Sequence, residues 1–156
     1  MAQDLADQIR EWFEKKIPEG WFEGAPEVEV DSEEILVTGT LPTKAKVDEF
    51  RSSTREQRIE VASEAERLFN RKVSWGVRSG DNYVPFTGLG VPVMTRLRMR
   101  ERSVLDTLVD AGVARSRSDA LAWCARLVAD KQKEWIEELR EAFAEVEKVR
   151  AAGPVV

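Results

Sequence analysis

The chain has no histidine and a single cysteine, Cys124. One cysteine excludes an internal disulfide. The missing imidazole removes the commonest metal ligand and the commonest general base, and zinc sites and histidine-dependent triads go with it. Long apolar runs are absent as well. No uninterrupted stretch reaches the ~18 residues that a membrane span needs, and the opening segment MAQDLADQIREWFEKK carries acids where a signal peptide would be basic and then apolar. These absences predict a cytoplasmic protein with no membrane partner. A carboxylate-only cation site around Asp31, Glu33 and Glu34 lacks the calcium-loop spacing, and a polar turn accounts for the same letters. There is no glycine-rich phosphate loop, no G-x-S-x-G elbow and no spaced pair of carboxylates, so the reading expects no enzyme, no metal and no cofactor.

What is present is a well-charged globular composition, 42% apolar and 34% charged, over 156 residues. That length suffices for one full core or two small ones. The net charge of −5 is unevenly spread: residues 1–90 hold 12 basic and 18 acidic side chains, residues 91–130 hold 7 and 5, and residues 131–156 hold 5 and 6. The basic excess lies between 91 and 130.

Periodicity gives an α+β organisation. Leu5, Ile9, Trp12, Phe13 and Ile17 share one helical face, and Pro18 and Gly20 stop that helix. A hairpin of Val28–Val30 with Ile35–Leu41 follows, turning at DSEE. The next helix is expected to start at Ser53, with Glu56 reaching back, and to bury Ile59, Ala62, Ala65, Leu68 and Phe69; residues 44–52 are its first turn or a separate piece. KVSWGVR alternates as a strand, and SGDN turns the chain into YVPF. The joint PFTGLGVP, with two glycines and two prolines in eight residues, separates an accessory unit at 1–86 from a second unit at 93–150. There the periodicity predicts a strand over 94–100, a helix from about Arg102 to Asp110 with Val104, Leu105 and Leu108 inward, a break at Gly112, and one helix of some thirty residues from Ser116 or Ser118. Trp12, Trp21, Trp75, Trp123 and Trp135 read as core or interface residues, and Cys124 as a small buried hydrophobe.

The order α-β-β-α-β resembles that of the BON domain and, loosely, one variant of the KH domain. No G-x-x-G loop stands between helices here, so RNA binding is not carried over. The sharper resemblance lies in the second unit. TRLRMR puts Thr95, Leu97 and Met99 on one face of a strand and Arg96, Arg98 and Arg100 on the other. With SVLDTLVDAG and GVARSRSDAL behind it, the segment from Val93 to about Val128 resembles the ribbon-helix-helix family of DNA-binding proteins, the MetJ/Arc group. That resemblance implies a homodimer in which strand 94–100 pairs with its copy and the ribbon enters the major groove of double-stranded DNA. Arg96, Arg98 and Arg100 match the base-contacting positions, and Arg115, Ser116, Arg117 and Ser118 match the phosphate-gripping start of the second helix. Arginine suits the first task because its fork bonds guanine O6 and N7 together, worth about 1–3 kcal/mol of discrimination per pair.

Two functions are therefore expected. The first is sequence-specific DNA binding by a homodimeric transcription regulator. The alternative keeps the fold as a dimerisation hub without DNA, the acidic N-terminal unit binding a protein partner. The charged strand alone would also suit a solvent-facing edge.

Overall fold

A computed structural model describes residues 2–43 and 45–154. The chain is an α+β protein with six helices and one four-stranded sheet among those residues. It divides into two units, one ending at Pro92 and the other beginning at Val93, at the end of the glycine- and proline-rich joint.

In the first unit, helix α1 (Ala2–Lys16) turns Ile9 and Phe13 fully inward, with Leu5, Trp12 and Ile17 packed at the margin. Strands β1 (Glu27–Val30) and β2 (Glu34–Thr40) form the antiparallel hairpin. Its turn is closed by the Asp31 carboxylate, which accepts from the amides of Glu33 at 2.8 Å and Glu34 at 2.7 Å. Helices α2 (Val47–Ser53) and α3 (Arg55–Phe69) carry the chain over to β3 (Lys72–Ser79), which lies parallel to β2, and β4 (Asn82–Pro85) completes the order β1-β2-β3-β4. The register aligns Val28, Val37 and Trp75 in one row and Val30, Ile35 and Val73 in the next. Side chains alternate across a strand, so these rows share a face, and the core of Ile9, Phe13, Trp21, Val61, Ala65 and Phe86 gathers with them. Gly39 belongs to this face because a Cβ there would stand 2.2 Å from the Phe22 ring. Edge-to-face contacts then run Trp12–Phe13–Trp75–Trp21–Phe50, each worth about 0.5–1.5 kcal/mol beyond the area it buries.

Two expectations are corrected here. Ser53 does not start a helix: residues 47–53 are already helical, and Ser53 Oγ donates to the Phe50 carbonyl at 3.3 Å. Thr54 is the junction, its hydroxyl donating to Phe50 O at 2.6 Å and accepting from Arg58 Nε at 3.1 Å. Hydroxyls bonded back to the preceding turn join two helices instead of opening one. Nor are Ile59 and Leu68 buried; both are about half exposed, and Val61 and Ala65 fill the core from α3.

The second unit holds α4 (Met99–Asp110), α5 (Arg117–Lys131) and α6 (Lys133–Ala152). Its buried centre is small: Leu105, Ala114 and Ala120, with Leu97, Leu108, Val109, Leu121 and Cys124 packed around them. After α4, the Gly112 amide donates to Val109 O at 3.0 Å and the Val113 amide to Leu108 O at 2.9 Å, with Gly112 left-handed at φ +77°. This is a Schellman cap, and it places the break where glycine predicts it. The single helix expected beyond Ser116 is instead two, because Gln132 leaves helical geometry at φ −116°, ψ 26°. Hydrogen bonds from Gln132 N to Val128 O and from Ile136 N to Gln132 O still cross the junction. No helix among the described residues is long and apolar enough to cross a membrane.

Candidate nucleic-acid interface

The segment before α4 carries the arginine series. Residues 91–98 have no regular secondary structure, and the helix begins at Met99. The strand expected over 94–100 is therefore corrected to an irregular run ending at Arg98, itself extended at φ −83°, ψ 174°. A strand is defined by a hydrogen-bonded neighbour, and among the described residues of this unit none lies beside it. Arg96 and Arg98 precede the helix, whereas Arg100 lies in its first turn and does not continue their alternation. Of the expected inner face only Leu97 reaches the core; Thr95 is exposed and Met99 is 75% exposed. Val104, expected inward, is also more than half exposed.

What holds the run in place is Arg102, whose Nη1 donates to the Leu97 carbonyl at 2.6 Å. Between the run and the two helices lies a cleft of about 340 Å³, lined by Val93, Met94, Leu97, Leu105 and Leu121 and rimmed by Arg102 and Arg117. Arg96, Arg98 and Arg100 are exposed, and among the described residues of this unit no carboxylate pairs with them. With Arg102 they make four cations against one acid, Glu101, over residues 93–102.

The start of α5 is more engaged. Ser116 caps it, its Oγ accepting from the Asp119 amide at 3.1 Å, and the Asp119 carboxylate accepts from the Arg115 amide at 3.0 Å. The S-x-x-D spacing thus makes a reciprocal cap, and Ser118 lies inside the helix. The Arg115 side chain is almost fully exposed, its Nε 3.8 Å from the Asp119 carboxylate. Arg117 is not free: Nε and Nη2 reach the two Asp106 oxygens at 2.7 and 2.9 Å. This fork holds Asp106 below the ordinary carboxylate range and raises Arg117 above its usual value. Among the described residues, the amides of Arg117 and Ser118 have no acceptor, as expected for the first turn of a helix. Sequence reasoning missed the Asp106–Arg117 clamp because its partners are eleven residues apart, across the turn that Gly112 closes.

Comparison with known proteins places this architecture. Over 164 aligned positions, 97% of this chain and 73% of each relative, it is 51% identical to the uncharacterized proteins Rv1265 and MT1303 of two Mycobacterium tuberculosis strains and Mb1296 of Mycobacterium bovis. The chain belongs to the Rv1265 family. The Rv1265-like N-terminal domain matches residues 7–84, the sheet unit, and the Mb1296 C-terminal domain matches residues 98–150, the three helices. Within this Rv1265-family chain, Arg98 and Arg100 fall inside the C-terminal match, and Arg96 lies between the two. No solved structure matches the chain.

Proposed function

We propose that the chain binds double-stranded DNA as a cytoplasmic, non-enzymatic homodimeric regulator, reading base edges with Arg96, Arg98 and Arg100. The observation that carries this reading is the exposed, internally unpaired arginine series, with Arg96 and Arg98 on a run of backbone that among the described residues has no neighbour in one copy and Arg100 in the helical turn that follows. A second copy supplies that neighbour: two runs paired antiparallel become a two-stranded ribbon, and the apolar side chains around the cleft are covered on the same side. Phosphates would meet the open amides of Arg117 and Ser118, the Ser116 turn and the exposed Arg115. The overall negative charge does not oppose this, since only the face near the duplex has to be positive.

Fluorescence anisotropy with a labelled duplex pool, titrated with salt, tests the proposal. Arg98→Ala is expected to weaken binding about ten- to a hundredfold and to relax sequence preference, from the loss of about 1–3 kcal/mol of base contact. Unchanged affinity and preference would remove the ribbon assignment. The clamp of Arg117 by Asp106 favours the second reading, a dimerisation hub whose acidic N-terminal unit holds a protein partner. That reading predicts a dimer with no salt-dependent affinity for any duplex.

A further inference from the structure

The N-terminal unit is the acidic part of the molecule, yet three neighbouring arginines form no ion pair with its carboxylates among the described residues. Arg51 lies on α2 and Arg55 and Arg58 on α3, at spacings of four and three, which is one helical face continued across the Thr54 junction. Among the described residues no ion pair reaches any of the three, although the unit forms several others. Arg58 is only 6% exposed. Its Nε donates to Thr54 Oγ1 at 3.1 Å and its Nη2 to the Arg51 carbonyl at 2.8 Å, so neutral partners fix it.

The guanidiniums of Arg58 and Arg51 both lie over the Phe86 ring, at 4.9 and 5.2 Å from its centroid. Burial, and then the charges of Arg51 and Arg55, lower the Arg58 pKa. A folded protein with a surplus of carboxylates has placed two cations on one ring, with a third beside them, and left them unneutralised. Like charges so close repel, and they are most stable when an external anion completes the set.

We propose that Arg51, Arg55 and Arg58 form an anion site for a phosphate group. Phosphate fits better than a carboxylate because it carries more charge and more acceptor oxygens. One carboxylate saturates a single guanidinium fork, whereas a phosphate serves two or three at once. Arg58 is the fixed base of the site, and exposed Arg51 and Arg55 close on the ligand. The phosphate is either free, as in a small phosphorylated molecule, or part of a polynucleotide backbone. The site belongs to the first unit, and the arginine run belongs to the second.

The test uses the full chain and its Arg51→Gln/Arg55→Gln variant, both substitutions being at exposed positions, with far-ultraviolet circular dichroism to verify the fold. Calorimetric titration with inorganic pyrophosphate, against sodium chloride of matched ionic strength, is expected to show saturable binding that weakens at least tenfold in the variant. In parallel, the salt slope of duplex binding is measured for both proteins. If the phosphate belongs to a nucleic-acid backbone, the slope falls in the variant by about two for each subunit that engages the duplex. A pyrophosphate effect alone assigns the site to small phosphorylated ligands, and a slope effect alone to the backbone. If the folded variant matches the parent in both measurements, or pyrophosphate acts no differently from salt and the slope is unchanged, the proposal is overturned.

Discussion

At Gly112 a single residue decides where one helix ends and whether the next can fold back. Its φ of +77° lies in the left-handed region, where a side chain costs about 1–2 kcal/mol, while a Cβ would meet nothing within 4 Å. The requirement is conformational, not steric. Gly112→Ala also removes freedom from the unfolded chain, which offsets part of the loss, so a net destabilisation of about 1 kcal/mol is expected. Gly112→Asn should cost less, because asparagine tolerates this region, as Asn70 does at φ +52° at the end of α3. Urea melts of both variants check this. Equal stability of Gly112→Ala and the parent would mean that the cap does not hold the α4–α5 turn. This break was readable from sequence because glycine states a backbone requirement locally. Arg58 was not: its burial depends on Phe86, twenty-eight positions on and brought beneath it only by the sheet.

Among the elements, those readable in advance carry their partner within a few residues. The inner face of α1 and the β1–β2 hairpin come from local period and turn chemistry. The strand expected over 94–100 is not formed because alternation describes a face, whereas a strand also needs a ladder from elsewhere. The junction at Gln132 has neither proline nor glycine to announce it. The joining of α4 to α5 was equally hidden, since it rests on Arg117 gripping Asp106 across the turn. That clamp has a pH consequence. The hydrogen bond from Arg117 lowers the folded-state pKa of Asp106 below the ordinary aspartate range. Its stabilisation is therefore fully present above about pH 4 and is lost as pH falls through the lowered value. The raised value of Arg117 matters only in strong alkali. Asp106→Asn should lower the melting temperature at neutral pH, and the gap to the parent should narrow as pH falls below about 4. A gap independent of pH would show that shape, not charge, joins the helices.

For the whole molecule, the two units differ in how much apolar surface they leave open. Among the described residues, twelve of the seventeen exposed large apolar side chains lie beyond Pro92, in the unit whose buried centre has only three residues. A core that small does not sustain a fold alone, and surface of this kind marks an interface. On α6, Trp135, Leu139, Phe143 and Val146 recur at helical spacing, each 50–58% exposed. Burying the open half of each is worth about 1 kcal/mol, and the open side chains of Val93, Met94 and Met99 add to the sum. We therefore predict a dimer by sedimentation at micromolar concentration, with a melting temperature that rises with protein concentration, because association stabilises by mass action. Leu139→Glu/Phe143→Glu places charge on the stripe of the second unit. It should weaken the dimer by at least tenfold while the core tryptophans Trp21 and Trp75 keep their near-ultraviolet signal. A parent chain that sediments as a monomer at tens of micromolar, with a concentration-independent melting temperature, would remove the dimer. The paired ribbon would go with it, since an unpaired run of backbone cannot present Arg96 and Arg98 as a fixed reading edge.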